Sequence, residues 1–209
     1  MSILQNALVI YDDTFLQKEQ ADAYFDKFNA TFDFKYNLYN GLKLNRETCV
    51  FASPELLHNE IPPIWGDNVT VAPWTDELFE LKTMVEDKAN KITGKQWIYN
   101  IALCNRYKKS KDYIAFHSDN EEFGTTKSIA SISLGVPRTF MYRDKNFPVI
   151  EKVSLKLTHG SLIYMGENCQ ELYRHGMKKE NLEDLTSDEC IKRYDSTRIN
   201  ITFRTFIYE

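Results

Sequence analysis

His117 and Asp119, in the run YIAFHSDNE, are the clearest sign of chemistry in this sequence. Residues i and i+2 of a β-strand point to the same face, so an imidazole and a carboxylate converge if this run is extended. A second histidine would complete a facial triad, which suits iron(II) and leaves coordination positions open for a co-substrate and dioxygen. The His-x-Asp spacing alone is more often a surface histidine beside unrelated acids, so its interpretation as a metal site depends on the rest of the chain.

The third ligand has to come from the remaining histidines, which are His58, His159 and His175. His58 lies in a polar loop ahead of the β-rich half of the chain, and His159 lies in a tight turn. His175 follows the run CQELYR, which we predict to be a strand within that half. We therefore predict a metal centre formed by His117, Asp119 and His175.

The C-terminal run RINITFR has an alternating pattern that suggests an anion site. One face would carry Arg198, Asn200, Thr202 and Arg204, and the other Ile199, Ile201 and Phe203. Buried arginines need an anionic partner, and the planar guanidinium fork grips a carboxylate through paired hydrogen bonds. Six residues of strand span roughly 20 Å, and two side chains reaching about 6–7 Å each leave about 6–8 Å, close to the length of a small dicarboxylate. A solvated strand face with cations at its rim is the alternative.

Two helices are predicted ahead of the β-rich half. Residues 14–30 would form the first, with Asp13 or Thr14 as N-cap and an apolar face of Leu16, Ala21, Tyr24, Phe25 and Phe28. The second would open at 73–76 and run to about Lys91, with the apolar stripe Leu78, Leu81, Met84, Val85 and Ala89.

After Gly94 the chain becomes a series of short β-rich runs separated by turn signals. We predict strands over 97–104, 113–117, 128–134, 138–143, 154–157, 161–165, 169–174 and 198–206. Many short strands with regular turns favour a sandwich or barrel. The predicted fold class is therefore mainly β with flanking helices (α+β).

Length and composition limit the organisation of the protein. With 209 residues, of which 43% are hydrophobic, the chain is expected to form a single domain over 1–209, with flanking helices and a lid at about 1–96 and the β core at about 97–209. The net charge of −4 argues against a general nucleic-acid coat, although a locally basic groove is compatible with it. Neither a signal peptide nor an apolar run of about 20 residues is evident, so we expect an intracellular monomer in nucleus or cytoplasm, without membrane attachment.

Cysteine usage agrees with an intracellular protein. Cys49, Cys104, Cys169 and Cys190 show no CxxC pairing. Reduced thiols, rather than disulfides or a zinc site, are therefore expected, with Cys104 and Cys169 buried in apolar stretches.

Several segments together resemble one known family. NRYKKSKDYIAFHSDNEE, SIASISLGVPRTFMYR, THGSLIYM, YRH and RINITFR are similar, in order and spacing, to motifs of the AlkB family of nucleic-acid dealkylating dioxygenases, most of all its eukaryotic DNA-repair branch. The likeness runs from about Trp97 to Phe206, roughly half of the chain.

The resemblance implies a double-stranded β-helix (jelly-roll) core that holds Fe(II) on the predicted triad and uses 2-oxoglutarate and O2. Asn105 and Tyr107 match the residues that touch 2-oxoglutarate in the family. Arg198, supported by Asn200, matches the ligand of its distal carboxylate. Arg204 matches the residue that holds the carboxylate beside the keto group.

The resemblance also implies the reaction. 2-Oxoglutarate is decarboxylated to succinate and CO2 while an N-methyl group is oxidised, and the hydroxymethyl adduct releases formaldehyde. The expected substrates are bases of the 1-methyladenine or 3-methylcytosine type in DNA or RNA. A base in a duplex cannot reach a buried metal, so the substrate has to be single-stranded or flipped.

Substrate contacts follow less closely from the resemblance. His117 would form one wall of the base pocket and Trp65, or else Phe51, the opposite aromatic wall; Trp65 fits a core position equally well. Asn120 and Glu121 follow the triad carboxylate and would read an exocyclic amine, although a solvated turn is equally consistent.

Basic residues near the predicted metal strands are candidate phosphate contacts. Lys108 and Lys109, with Arg106 and Lys111, form the densest basic cluster, and Lys178 and Lys179 follow the last metal ligand. A lysine run is also common in loops that simply face solvent. The acidic insert 178–197 is expected to restrict or select substrates.

Two other functions fit the same pattern. One is a 2-oxoglutarate oxygenase that acts on a protein or small molecule, and the other is a catalytically silent β-sandwich binding module. The lid over 28–74 would discriminate the first, because a stacking aromatic beside a basic rim favours nucleic acid. Intact triad and arginine positions argue against the second.

Overall fold

The computed structural model describes residues 2–39, 41–57, 69–121, 124–147 and 152–207. Its strands are β1 (Val9–Asp12), β2 (Leu38–Tyr39), β3 (Leu42–Lys43), β4 (Glu47–Ala52), β5 (Val71–Pro73), β6 (Ile101–Tyr107), β7 (Ile114–His117), β8 (Ile129–Gly135), β9 (Arg138–Asp144), β10 (Lys152–Leu157), β11 (Ser161–Met165), β12 (Tyr173–Met177) and β13 (Arg198–Arg204). Its helices are α1 (Lys18–Thr31), α2 (Pro54–Leu57), α3 (Asp76–Thr93), α4 (Cys169–Leu172) and α5 (Asp188–Arg193), with a 3₁₀ turn at Leu182–Asp184.

Two sheets form the core. The larger has the order β1-β11-β8-β13-β6-β4-β5, and the smaller has the order β10-β9-β12-β7. The last eight strands, β6 to β13, divide equally between them, as the chain passes repeatedly from one sheet to the other. Eight antiparallel strands in two sheets make a jelly roll, so the predicted fold class is confirmed.

The two long helices cover one face of the larger sheet. Buried residues of α1 and α3 share a single apolar cluster with Ile199, Ile201 and Phe203 of β13. Thr75 caps α3 by accepting a hydrogen bond from the Leu78 amide, and Gly94 ends the helix at a φ of 68°. Because the helices protect this face, the opposite face of β13 is left for the interior between the two sheets.

The first helix begins later than predicted. It starts at Lys18 after the N-cap Gln17, and not at Asp13 or Thr14. The amide of Leu16 donates to the carbonyl oxygen of Gly160, in the turn between β10 and β11. This tie to the sheet holds the preceding residues in an irregular conformation.

The strand predicted over 169–174 is wrong for 169–172, and only Tyr173 and Arg174 belong to a strand. Asn168 has a φ of 65°, and the chain then forms the single helical turn α4 before β12 begins at Tyr173. Cys169 and Gln170 are both buried in this turn, which removes the in–out alternation of a strand.

The cysteines agree with the prediction of reduced thiols. All four are free, and Cys49, Cys104 and Cys169 are buried. Among the helices in the described ranges, none combines the length and apolar character that crossing a bilayer requires.

Candidate active site

The three predicted metal ligands meet at one point. His117 at the end of β7 lies directly opposite His175 of β12 in the antiparallel register. The two carboxylate oxygens of Asp119 lie 3.6 Å from Nε2 of His117 and 3.7 Å from Nε2 of His175. All candidate ligand atoms of the triad are within 4.8 Å of one another, so a single cation can contact all three.

Asp119 is held there by contacts beyond the strand on which we expected it. β7 ends at His117, so the i, i+2 strand geometry does not extend to the carboxylate. The Asp119 amide donates instead to Oε1 of Gln170 at 3.0 Å, and Nη2 of Arg204 lies 2.7 Å from the carboxylate. Burial alone would raise the pKa of Asp119, but the adjacent Arg204 guanidinium outweighs burial and keeps the pKa well below its ordinary value. The group is therefore an anionic ligand.

Both imidazoles place a ring nitrogen beside the Asp119 carboxylate, where each can bind a metal ion. Nδ1 of His117 lies 2.9 Å from the carbonyl oxygen of Ala115, and because a carbonyl only accepts, Nδ1 carries the proton. Its Nε2, on the side of Asp119, is therefore the ring nitrogen placed to bind a metal. Burial lowers the pKa of His175 to about 3, so this imidazole is neutral near pH 7. Two imidazoles and one carboxylate are a donor set that fits iron(II).

The arginine strand lines the cavity beside the triad. Arg198, Asn200, Thr202 and Arg204 all contribute to a cavity of about 590 Å³ that also contains the three metal ligands. The alternating residues of β13 lie in the apolar cluster under the helices. The predicted division of this strand into two faces is confirmed.

Arg198 is buried without a carboxylate partner in the described part of the chain. It is 3% exposed, Nη2 donates to Oγ of Ser133 at 2.9 Å, and Nε has no hydrogen-bond partner among the described residues. Burial lowers its pKa to about 10, which still leaves the guanidinium charged at neutral pH. A buried cation of this kind needs an anion, and a carboxylate ligand in the cavity would supply one.

The other residues expected to touch 2-oxoglutarate surround Arg198. In the pairing of β6 with β13, Tyr107 lies opposite Arg198 and Asn105 opposite Asn200. The Arg198 guanidinium lies 5.4 Å from the centre of the Tyr107 ring. All four side chains line the cavity, so the structure brings the whole predicted set together.

The lid contributes residues that the sequence patterns did not single out. Tyr39, Lys43 and Arg46 line the cavity, and Nε of Arg46 donates to Oδ1 of Asn105 at 2.6 Å. Tyr39 belongs to the short β2–β3 hairpin and remains 43% exposed. The Asn-Gly pair at 40–41 is a hairpin signal that could have located this element.

Trp65 and Phe51 are the two residues predicted as the aromatic wall of the base pocket. Trp65 lies outside the described residues. Phe51 is 5% exposed, and its ring centre is 4.3 Å from that of Phe32 in the apolar cluster under the helices. Phe51 is absent from the cavity lining, so its prediction as a base platform is wrong: on β4 its side chain points to the helix layer.

Asn120 and Glu121 separate after the triad carboxylate. Asn120 lines the cavity. Glu121 is exposed and outside the lining, and its carboxylate accepts hydrogen bonds from the amide and hydroxyl of Thr126. The described geometry therefore keeps Asn120 as a candidate substrate contact and does not bring Glu121 to the cavity.

The predicted basic cluster is smaller than expected. Lys108 and Lys109 are exposed and lie outside the cavity lining, in the loop after β6. Nε of Arg106 is 2.7 Å from the Glu47 carboxylate in a largely buried pair, so Arg106 is not available to phosphate.

The acidic insert does not border the cavity. None of the residues 178–197 is among those that line it. Leu182 and Tyr194 pack into the helix-side cluster, and Arg193 pairs with Asp26 of α1 at 2.8 Å. Residues 182–197 of the insert pack on the outer, helical side, so the expectation that the insert selects substrates gains no support from them.

Comparisons with known proteins agree with this geometry. The model of the 2OG-Fe(II) oxygenase superfamily matches residues 8–204. The chain is 33% identical over 175 residues to "Alpha-ketoglutarate-dependent dioxygenase alkB homolog 3" of Rattus norvegicus, covering 77% of this chain and 52% of the relative. It is 32% identical over 149 residues to "DNA oxidative demethylase ALKBH2" of Mus musculus, covering 68% of this chain and 55% of the relative.

A solved structure shares the fold. The structure described as "The structure of OsALKBH1" superposes with a TM-score of 0.67 at 19% identity, covering 97% of this chain and 98% of that one. The chain spans about half the length of the curated relatives it matches.

Proposed function

Because this chain belongs to the AlkB family within the 2OG-Fe(II) oxygenase superfamily, as its motifs predicted, we propose that it oxidatively demethylates N-alkylated bases in nucleic acid. The observation that carries the proposal is a buried guanidinium, Arg198, without an acidic partner in the described chain, in the same cavity as a converged His-Asp-His triad. A dicarboxylate co-substrate and a metal ion together account for both features.

One set of residues would bind the metal ion and another set would bind the co-substrate. His117, Asp119 and His175 would hold iron(II), which with 2-oxoglutarate supplies the oxidation of the N-methyl carbon when bound. Arg198, with Asn105, Tyr107 and Asn200 around it, would hold the distal carboxylate of 2-oxoglutarate. Arg204 would attract its other carboxylate toward the metal while also fixing Asp119.

The lid favours a nucleic-acid substrate over a protein or small molecule. Of the described residues that line the cavity, Lys43, Arg46, Arg198 and Arg204 are cationic and only Asp119 is acidic, although the chain has a net charge of −4. Tyr39 offers an exposed aromatic face at the rim, which suits stacking with a flipped base opposite His117. A mouth with aromatic and basic groups is the feature expected of a nucleic-acid enzyme.

The relatives' names support the same class. One matched relative is named a DNA oxidative demethylase. A silent binding module is disfavoured because it would have no need for three ligand atoms within 4.8 Å of each other and two buried arginines beside them.

A panel of methylated oligonucleotides tests the proposal. The full chain is incubated with iron(II), 2-oxoglutarate and single- or double-stranded DNA or RNA that contains 1-methyladenine or 3-methylcytosine. Mass spectrometry should detect loss of one methyl group, with formaldehyde and succinate formed in equal amounts. If 2-oxoglutarate is consumed and no oligonucleotide changes mass, the substrate is not a methylated base of this type; the Asp119→Ala variant controls for metal-free chemistry.

A further inference from the structure

Arg138, at the start of β9, is fully buried and lies outside the site described above. Its exposure is 0%, and it is the largest side chain among the fully buried residues that the structure describes. Burial lowers the pKa of Arg138, an effect that Glu180 opposes. An apolar side chain of similar volume would avoid the desolvation cost, so the contacts of this guanidinium require an explanation.

Those contacts join two loops that are distant in sequence. The first lysine loop, residues 108–113, connects β6 to β7, and the second lysine loop, residues 178–180, follows β12. Nη2 of Arg138 donates to the carbonyl oxygen of Asp112 at 2.8 Å and to that of Lys178 at 2.9 Å. One planar group therefore holds the backbones of both loops.

Glu180 also connects the second lysine loop to the first loop and to β9. Its amide donates to the carbonyl oxygen of Ser110 at 3.0 Å, and its carboxylate accepts from the Thr139 amide at 2.8 Å. Nε of Arg138 lies 3.6 Å from that carboxylate. The first lysine loop is also fixed internally, since the Asp112 carboxylate accepts from the amides of Lys108 and Lys109.

The two loops present their cations together and close to the cavity. Their exposed lysines are Lys108, Lys109, Lys111, Lys178 and Lys179. In the described part of the chain only Lys178 has an acidic partner, Glu180 at 3.8 Å. The ammonium of Lys179 in the second loop lies 4.8 Å from the ring centre of Tyr113 in the first, and Tyr113 lines the cavity.

We propose that Arg138 is a positioning residue for substrate binding, because it joins the two lysine loops into one surface that contacts the phosphodiester backbone beside the cavity mouth. The occupant is a single-stranded nucleic acid, which fits both the positive charge and the continuity with the cavity through Tyr113. The inference rests on the proposed function for the kind of substrate. It adds a buried residue that never touches the substrate.

The salt dependence of binding tests the surface itself. The probe is a fluorescent single-stranded oligonucleotide with one 1-methyladenine, bound to the full chain across a series of salt concentrations. A variant that binds one phosphate fewer should show a slope of log K against log salt that is smaller in magnitude by about 0.7. Lys108→Gln/Lys109→Gln and Lys178→Gln/Lys179→Gln should each reduce the slope, and their combination should reduce it by about the sum. Lys18→Gln/Lys27→Gln on α1 removes the same charge from the helical side and should leave the slope unchanged.

Arg138→Met tests the positioning role. It should reduce the slope although all five lysines remain, while 2-oxoglutarate consumption without nucleic acid stays at the wild-type rate. Arg138→Lys keeps the charge but lacks the planar guanidinium that donates hydrogen bonds to both loops. Its salt slope should therefore fall between those of wild type and Arg138→Met. Arg143→Met, on the same strand, is the matched control and should behave as wild type.

Several results would overturn the inference. A wild-type salt slope in folded Arg138→Met would show that Arg138 does not position the loops. A wild-type slope in either double lysine variant would show that the two loops do not form one binding surface. Should Arg138→Met fail to fold, Arg138→Lys decides the positioning role, and a wild-type slope in that variant removes it. Equal affinity for an acidic peptide of the same charge would exclude nucleic acid as the occupant. If the salt slopes change as expected but no demethylation occurs, the proposed reaction is refuted while the phosphate-binding surface remains supported.

Discussion

Arg198 offers the sharpest test of the co-substrate site, through the substitution Arg198→Met. In the ligand-free protein this guanidinium is buried, has a pKa lowered to about 10 and lacks an acidic partner in the described chain. Replacing an uncompensated buried charge by an apolar side chain is often neutral or stabilising. We therefore expect ligand-free Arg198→Met to melt at or above the wild-type temperature.

Binding of 2-oxoglutarate should respond in the opposite direction. A paired guanidinium–carboxylate contact supplies two charge-assisted hydrogen bonds of about 1.5–3 kcal/mol each. The lower value for both gives about 3 kcal/mol, which is roughly a 150-fold rise in Kd. Arg198→Lys keeps the charge without the paired geometry and should lose about half of that free energy.

Thermal unfolding with and without 2-oxoglutarate measures both effects in one assay. At a concentration of about 100 times the wild-type Kd, the ligand should stabilise the wild type by about 2.7 kcal/mol and Arg198→Met by about 0.3 kcal/mol. For a chain of this size these values correspond to shifts of roughly 5–11 °C and about 1 °C. Manganese(II) in place of iron(II) prevents turnover, and Arg193→Met, which removes an exposed arginine paired with Asp26, is the control.

Either of two results would refute this reasoning. An unchanged 2-oxoglutarate shift in Arg198→Met would show that the guanidinium does not hold the co-substrate. A lower melting temperature without ligand would show that Arg198 stabilises the fold by itself, in which case its burial would not point to an anion.

Three further predictions concern the metal and the lid. His117→Ala or Asp119→Ala should abolish succinate formation with an unchanged circular dichroism spectrum; residual turnover would exclude the triad. Gln170→Ala leaves the Asp119 amide without its acceptor, so manganese(II) affinity measured by calorimetry should fall about 10–100-fold, and an unchanged affinity would mean that Gln170 does not orient the ligand. Tyr39→Ala should weaken binding of a methylated oligonucleotide by about 1–3 kcal/mol while 2-oxoglutarate affinity is unchanged; equal binding would remove Tyr39 as the base platform.

The sequence pattern alone predicted the features that depend on alternation along a strand or on periodicity along a helix. The two faces of RINITFR were readable because side chains on a strand alternate strictly. The helix at 76–93 was readable because its apolar stripe, its Thr75 cap and its terminal Gly94 all agree. The three triad residues could be selected together because few histidines were available, and their side chains do converge, although the strand geometry assumed for Asp119 was wrong.

Other features depended on contacts between distant segments. The start of α1 is set by a hydrogen bond to the turn at Gly160, and the helical turn α4 replaces a predicted strand where Gln170 reaches Asp119. Phe51 is aromatic, as a base platform must be, but its position on β4 directs the side chain toward the helices. Arg138 carried no local signal at all, because its partners lie more than 25 residues away in both directions.

The sequence by itself therefore determined the chemistry of this protein: a two-histidine, one-carboxylate metal site and a strand with arginines on one face, within a mainly β fold. Only the tertiary structure decided which groups surround that chemistry, namely the lid residues Tyr39 and Arg46, the support from Gln170 and the joined lysine loops. The physical reason is that alternation along a strand is a property of neighbouring residues. Burial, ion pairing and the shape of a cavity are instead set by segments that meet only when the two sheets pack together.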